Sequence, residues 1–251
     1  ARGGDGDVSI TTGTVTTTGA SGVGIFGDTT TGNVLINAGT TRVESTGYQG
    51  WFTGDAVVGT SDSGDVTIVS EDAYSAALYG SAIVGIGGNV SIDANIAETT
   101  GDGGLAVYGR ALAPGGTVTI NADTIIASGS ELIALSAVSS SGLASVTVGN
   151  VTANAGSDSA EGLQVRGLDT SITINGAVLA GGMAVNSQSL GGTSTVNVNG
   201  SVTSALGIGV LALGQNGELT VAEGASIEAA RAAVVLMNYS PVDQGIMFLD
   251  N

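Results

Sequence analysis

Cysteine, histidine and lysine are absent from this chain of 251 residues, proline occurs only 2 times, and aromatic residues make up 4%. Without cysteine there can be no disulfide and no thiolate metal site. Long apolar runs are missing too. Residues 206–213 and 229–237 are the longest candidates, and they are short, broken by glycine or interrupted by Arg231, well below the eighteen or so residues of a membrane-spanning helix. Positive charge is scarce: 5 arginines stand against 22 acidic residues, for a formal net charge of -17. Such a surface repels phosphate backbones, which argues against nucleic-acid binding, and it keeps neighbouring molecules apart.

What remains is unusual for a globule. Glycine accounts for 43 residues, and threonine, serine, valine, alanine and asparagine supply most of the rest. Abundant β-branched and turn residues favour many short strands joined by tight corners.

A repeat organises these residues, and it is clearest in GTVTINADTIIASGSELIALSAVSSSG from Gly116 to Gly142. Its first strand, Val118-Thr119-Ile120, recurs at Val8, Val34, Val66, Val90, Val146, Ile172, Val196 and Leu219, with a tenth, degenerate copy expected at Met247-Phe248-Leu249. A third strand recurs at Val23-Gly24-Ile25-Phe26-Gly27, Ala76-Ala77-Leu78-Tyr79-Gly80, Leu105-Ala106-Val107-Tyr108-Gly109 and Leu163-Gln164-Val165-Arg166-Gly167. Between them runs a weaker strand, marked by Val15, Val43, Ile96, Ile126, Val151, Val178, Val202 and Ile227. Self-similarity at two to three dozen residues is the mark of a solenoid.

The expected fold is therefore all-β, a single-stranded parallel β-helix with three short strands in each of about nine coils. A coil burying about six apolar side chains gains roughly 2 kcal/mol from each, less than the ordering of its backbone costs. Only stacking closes that gap. Residues 1–251 are expected to form one such domain, a portion of a longer repeat protein.

The Gly-x-Val-Thr-Ile-Asn repeats followed by short valine and glycine runs resemble the β-helical passenger regions of bacterial autotransporters and filamentous-haemagglutinin-like adhesins. The resemblance covers essentially the whole chain and lies in a degenerate pattern. It implies a right-handed winding, export to the bacterial cell surface, and a role in adhesion to glycans or to a host or neighbouring cell. No cofactor and no catalytic residue are expected.

Candidate contact residues come from the third strand, where Phe26, Tyr79, Tyr108 and Arg166 each follow the second inward residue. Aromatics projecting from one face suit sugar rings or a partner surface. Trp51 and Phe52, in the densest aromatic group, are expected to join or cover that face. Gly3-Gly4-Asp5-Gly6-Asp7 resembles one copy of a calcium-binding glycine/aspartate nonapeptide, which makes Asp5 and Asp7 candidate Ca²⁺ ligands.

Asp7, Asn33, Asp65 and Asn89 share one column before the first strand, read either as a polar corner or as a carbohydrate or ion surface. Asn37, Asn121, Asn175 and Asn199 are read as a ladder or as corner residues. Thr-rich ranks such as Thr117-x-Thr119 and Ser145-x-Thr147 leave ice binding open. Polysaccharide-active enzymes share this fold class, so an enzyme is a further alternative. End-to-end assembly into a layer or filament is the nearer one, because coil edges at both ends can accept another copy.

Overall fold

Alternation along Val118–Ala127 places Val118, Ile120 and Ala122 on the buried side of a strand, with Thr119 and Asn121 on the outside, as a two-residue period requires. The structure, a computed structural model, describes residues 1–19, 22–44, 54–130, 132–239 and 244–249. Among them there is no helix. Parallel strands stack into about eight turns of a β-solenoid as a 13-stranded and a 10-stranded sheet, and the apolar column lies between them.

The first and second expected strands of a turn are continuous in the middle of the stack. Val34–Val43, Val66–Ser75, Val90–Thr99, Val118–Ala127 and Leu143–Ala153 are single strands of 10 or 11 residues. Alternation slips once inside each. Ala122 is buried, Asp123 and Thr124 both face out, and Ile125 is buried again. Asp123 is also passed over in the pairing of Ala122 and Thr124 with Ala94 and Ile96. One extra outward residue bends the strand without breaking it, much as a bulge does. Glu71 and Asp72 occupy this bend in Val66–Ser75, so an acidic pair is compatible with a strand there.

Along the first strand the inward rows depart from the repeat pattern at one place, and along the second Val15 lies beside Thr41 rather than Val43, while Ile96 and Ile126 stand at outward, half-buried positions. Val8, Val34, Val66, Val90 and Val118 stack in register, but Ala144 follows Val118, and Val146 lies on Ile120. The cause is a change in where the bulk sits. Up to Val118 the large inward residues are the first and second of the strand, whereas afterwards they are the second and third: Val146 and Val148, Ile172 and Ile174, Val196 and Val198.

The opposite sheet compensates for the shift. Its inward row is glycine at Gly27, Gly59, Gly85 and Gly109, where an added Cβ would meet valine Cγ1 atoms of the first row at 2.9 to 3.0 Å. The row then continues as Ala137, Val165, Ser187 and Ala212, once the first row has shrunk to Ala144, Thr170 and Ser194. Ser187 Oγ lies 2.7 Å from Thr170 Oγ1 and 2.8 Å from Ser194 Oγ, so these buried hydroxyls satisfy one another.

A second row is small throughout. Gly24, Ala56, Ala82, Ala106, Ala134, Gly162, Ala184, Gly209 and Ala233 each precede the inward row that runs from Ile25 to Val234. Here the chain turns the corner into the 10-stranded sheet. An added Cβ at Gly24 would lie 2.6 Å from Thr41 Cγ2, and one at Gly209 2.7 Å from Ile227 Cγ2.

The last strand departs from the repeat. Gln244–Leu249 pairs antiparallel with Ala232–Tyr239, so the expected tenth copy at Met247-Phe248-Leu249 is a reversed strand lying on the end of the 10-stranded sheet.

Candidate functional site

The polar column before the first strand caps the stack. Asn33 N–H donates to Asp7 Oδ1 at 2.7 Å, Asp65 N–H to Asn33 Oδ1 at 2.9 Å, Asn89 N–H to Asp65 Oδ1 at 3.0 Å, and Thr117 N–H to Asn89 Oδ1 at 2.8 Å. Each side chain thus satisfies a backbone donor of the next turn, as Asx residues do at corners. Asp7 and Asp5 are exposed, and among the described residues no three potential metal ligands converge.

The asparagine row divides in two. Asn37 and Asn121 share an outward row with Val69 and Asp93. Asn175 and Asn199 lie at the bend, where Asn199 Nδ2 donates to Asn175 Oδ1 at 3.0 Å. Between the two rows runs a shallow groove of about 340 Å³ lined by Glu71, Asp93, Asn95, Asn121 and Asp123. The hydroxyl rank is offset from the repeat pattern by two residues, because Thr119 rather than Thr117 lies beside Ser145. Ser9, Thr67, Ser91, Thr119, Ser145, Ser171 and Thr195 share one outward row, interrupted by Leu35.

The expected aromatic column is only partly assembled. Phe26 and Tyr108 share a row on the outer side of the 10-stranded sheet, but Val58 and Val84, which are themselves buried, separate them, and Arg2 lies over the Phe26 ring at 5.7 Å. Tyr79 is in a turn with φ 57° and is 57% exposed, outside any strand. The residue in the Tyr108 row on the Arg166 strand is Gln164, and Arg166 is one outward row further on. Trp51 and Phe52 lie outside the described residues.

That displacement brings in a residue the sequence alignment missed. Arg110 and Arg166 occupy the same outward row with Val138 between them and Gln188 after Arg166. Both arginines are exposed, and the ion pairs among the described residues, Arg2 with Asp28 and Arg42 with Glu44, involve neither. The signal was available in the steps Val107, Leu135, Leu163: pairing Val107 with Leu163 rather than Val165 aligns Tyr108-Gly109-Arg110 with Gln164-Val165-Arg166. Next to this row, Leu112, Leu168 and Leu190 are 41%, 42% and 48% exposed, and each follows the last strand residue of its turn.

Among the described residues, Asp55 is the most perturbed carboxyl. It is 4% exposed and accepts the Ser81 N–H at 2.5 Å, yet burial outweighs that hydrogen bond and pushes its pKa up to about 6. A raised carboxyl pKa means that the folded protein holds this proton more tightly than the unfolded chain does. Stability from this group is therefore full below the ordinary carboxylate range and falls as pH rises toward about 6. Asp55→Asn keeps an acceptor without the charge, and is expected to raise stability at pH 7.5 by as much as ~3 kcal/mol and to change it little at pH 3.5. Urea midpoints of both proteins at the two pH values measure this.

The chain matches no family model, no curated protein and no solved structure.

Proposed function

We propose that the protein is a non-catalytic, extracellular stalk or adhesin segment of a bacterial surface protein. It is read as a right-handed helix of nine three-sided coils, the hand following from the near-universal right-handedness of parallel β crossovers. One observation supports this most: outward rows of side chains run unbroken in register along the stack, which makes a stiff rod carrying long, flat, repetitive faces. Faces of that kind suit extended partners such as glycans.

The reading is tested by coating beads with the purified protein and measuring their retention on glycan-bearing cells under flow. Retention that exceeds albumin-coated beads and is abolished by soluble protein supports it. Retention equal to the albumin control contradicts it.

A second reading, end-to-end assembly into a layer or filament, is favoured by the last turn, where Asn216–Val221 and Ser226–Ala229 lack the buried positions of earlier strands and Val221 is 43% exposed. Long polymers in electron micrographs would support it, and single short rods at every concentration would exclude it.

A further inference from the structure

The 10-stranded sheet presents a short grid of outward side chains. Tyr108, Arg110 and Leu112 lie on one turn, Gln164, Arg166 and Leu168 two turns on, and Gln188 and Leu190 on the turn after that. The Cα positions of the two arginines are thus about 10 Å apart, twice the strand spacing. On a chain of net charge -17 they form a cationic pair without an intramolecular partner among the described residues.

Among the described residues, acidic groups are sparse around them. In the Arg110 row the acid is Asp28, three turns away and paired with Arg2. Glu161, at the start of the Arg166 strand, is half-buried and accepts from Gln164 Nε2 at 3.4 Å. Asp169, beyond Leu168, accepts the Thr193 N–H at 2.7 Å. The more distant acids are screened over about 8 Å at physiological salt.

We infer that Arg110 and Arg166, with Tyr108, Gln164 and Gln188, form a binding face for an extended anionic glycan lying along the solenoid axis. The inference rests on the adhesin reading and names the ligand class of that surface. Each guanidinium fork matches a carboxylate or sulfate. Their two-turn separation suits anionic groups on alternate sugars, the repeat of a polymer that alternates charged and neutral units. The half-buried Tyr108 ring offers an apolar edge to a pyranose; Gln164 Nε2 donates to Glu161 and Gln188 Nε2 to Asn186, and the second N–H of each amide is left to match a hydroxyl group. A membrane is disfavoured, because a wide anionic sheet would meet the acidic flanks of the rod as well, whereas a single chain occupies only these two rows.

The test uses the full chain with hyaluronan, heparin, neutral dextran and a single-stranded oligodeoxynucleotide, by affinity electrophoresis at 50 and 150 mM salt. The expected result is retardation by hyaluronan and heparin, weakening with salt, and none by dextran. Arg110→Gln with Arg166→Gln should weaken binding by about 100-fold or more, with an unchanged circular dichroism spectrum because both side chains are exposed.

No retardation by either acidic glycan, equal retardation by dextran, or unaltered binding in the double variant overturns the proposal. Equal binding of the oligonucleotide also overturns it, by showing a generic polyanion patch. If the double variant still retains beads on cells, this face is excluded while the adhesin reading survives.

Discussion

Replacing Ile120 by alanine is expected to lower the free energy of unfolding by about 2–5 kcal/mol, against no more than ~0.5 kcal/mol for Thr119→Ala on the outer side of the same strand. Ile120 is fully buried, with Ile92 on the turn before and Val146 on the turn after. Its Cδ1 also occupies the space over Gly109, 3.1 Å from where a Cβ would stand there. Truncation therefore opens a cavity touching three turns, which neighbouring backbone held on both sides by parallel pairing cannot readily collapse into. Equilibrium urea unfolding of the two variants compares them directly. Equal losses would mean that the strand is not oriented as described.

Gly162→Val is expected to be at least as damaging, on the order of 3 kcal/mol or more. The reason is a backbone contact rather than backbone conformation. A Cβ at this position would press on the carbonyl oxygen of Ala184 in the next turn and would stand 3.0 Å from Val178 Cγ1. The Ala184 carbonyl accepts the Leu163 N–H at 2.9 Å, so relieving the clash strains the ladder itself. Gly13→Ala is the natural control, because nothing lies within 4 Å of its added Cβ, and it is expected to leave stability within ~0.5 kcal/mol of the parent. Thermal unfolding of both variants, with a drop only for Gly162→Val, is the predicted pattern.

The two variants mark what a linear reading of this chain can and cannot supply. From Val34 to Ile120 the Val-x-Ile dyads of the first strand announce its buried side, so the solenoid was legible before any coordinates, but Val84-x-Ile86 has the same form and lies on the outer side of its strand. Register was legible only while the bulky dyad kept its place. At Ala144-x-Val146-x-Val148 the dyad moves two residues along without changing face, and a pattern that scores apolar residues follows the bulk instead of the pairing.

The same two-residue slip, made on the other sheet between Val107 and Val165, placed Arg166 beside Tyr108 and hid Arg110. Tyr79 misled for a different reason. Ala77-Leu78-Tyr79-Gly80 imitates a strand in composition, yet the strand of that turn is Ile83–Gly87, preceded by Ala82 of the small-residue row. The asparagine and aspartate corner was readable because its role is local: a short acceptor that reaches one backbone donor on the adjacent turn.

All of these conclusions depend on which residue lies beside which in adjacent turns, and the cysteine-free sequence makes that directly measurable. Thr119→Cys combined with Ser145→Cys joins residues that are paired across the ladder; neighbouring parallel strands lie about 4.8 Å apart, within disulfide reach. Thr119→Cys combined with Thr147→Cys tests the alternative in which valine dyads are simply superposed, and in the structure that pair is offset by two residues and separated by ~8 Å. Under mild oxidation the first pair is predicted to close rapidly and completely in the native protein, and the second slowly or not at all. Preferential closure of the second pair, or closure of neither, would contradict the stacking described here.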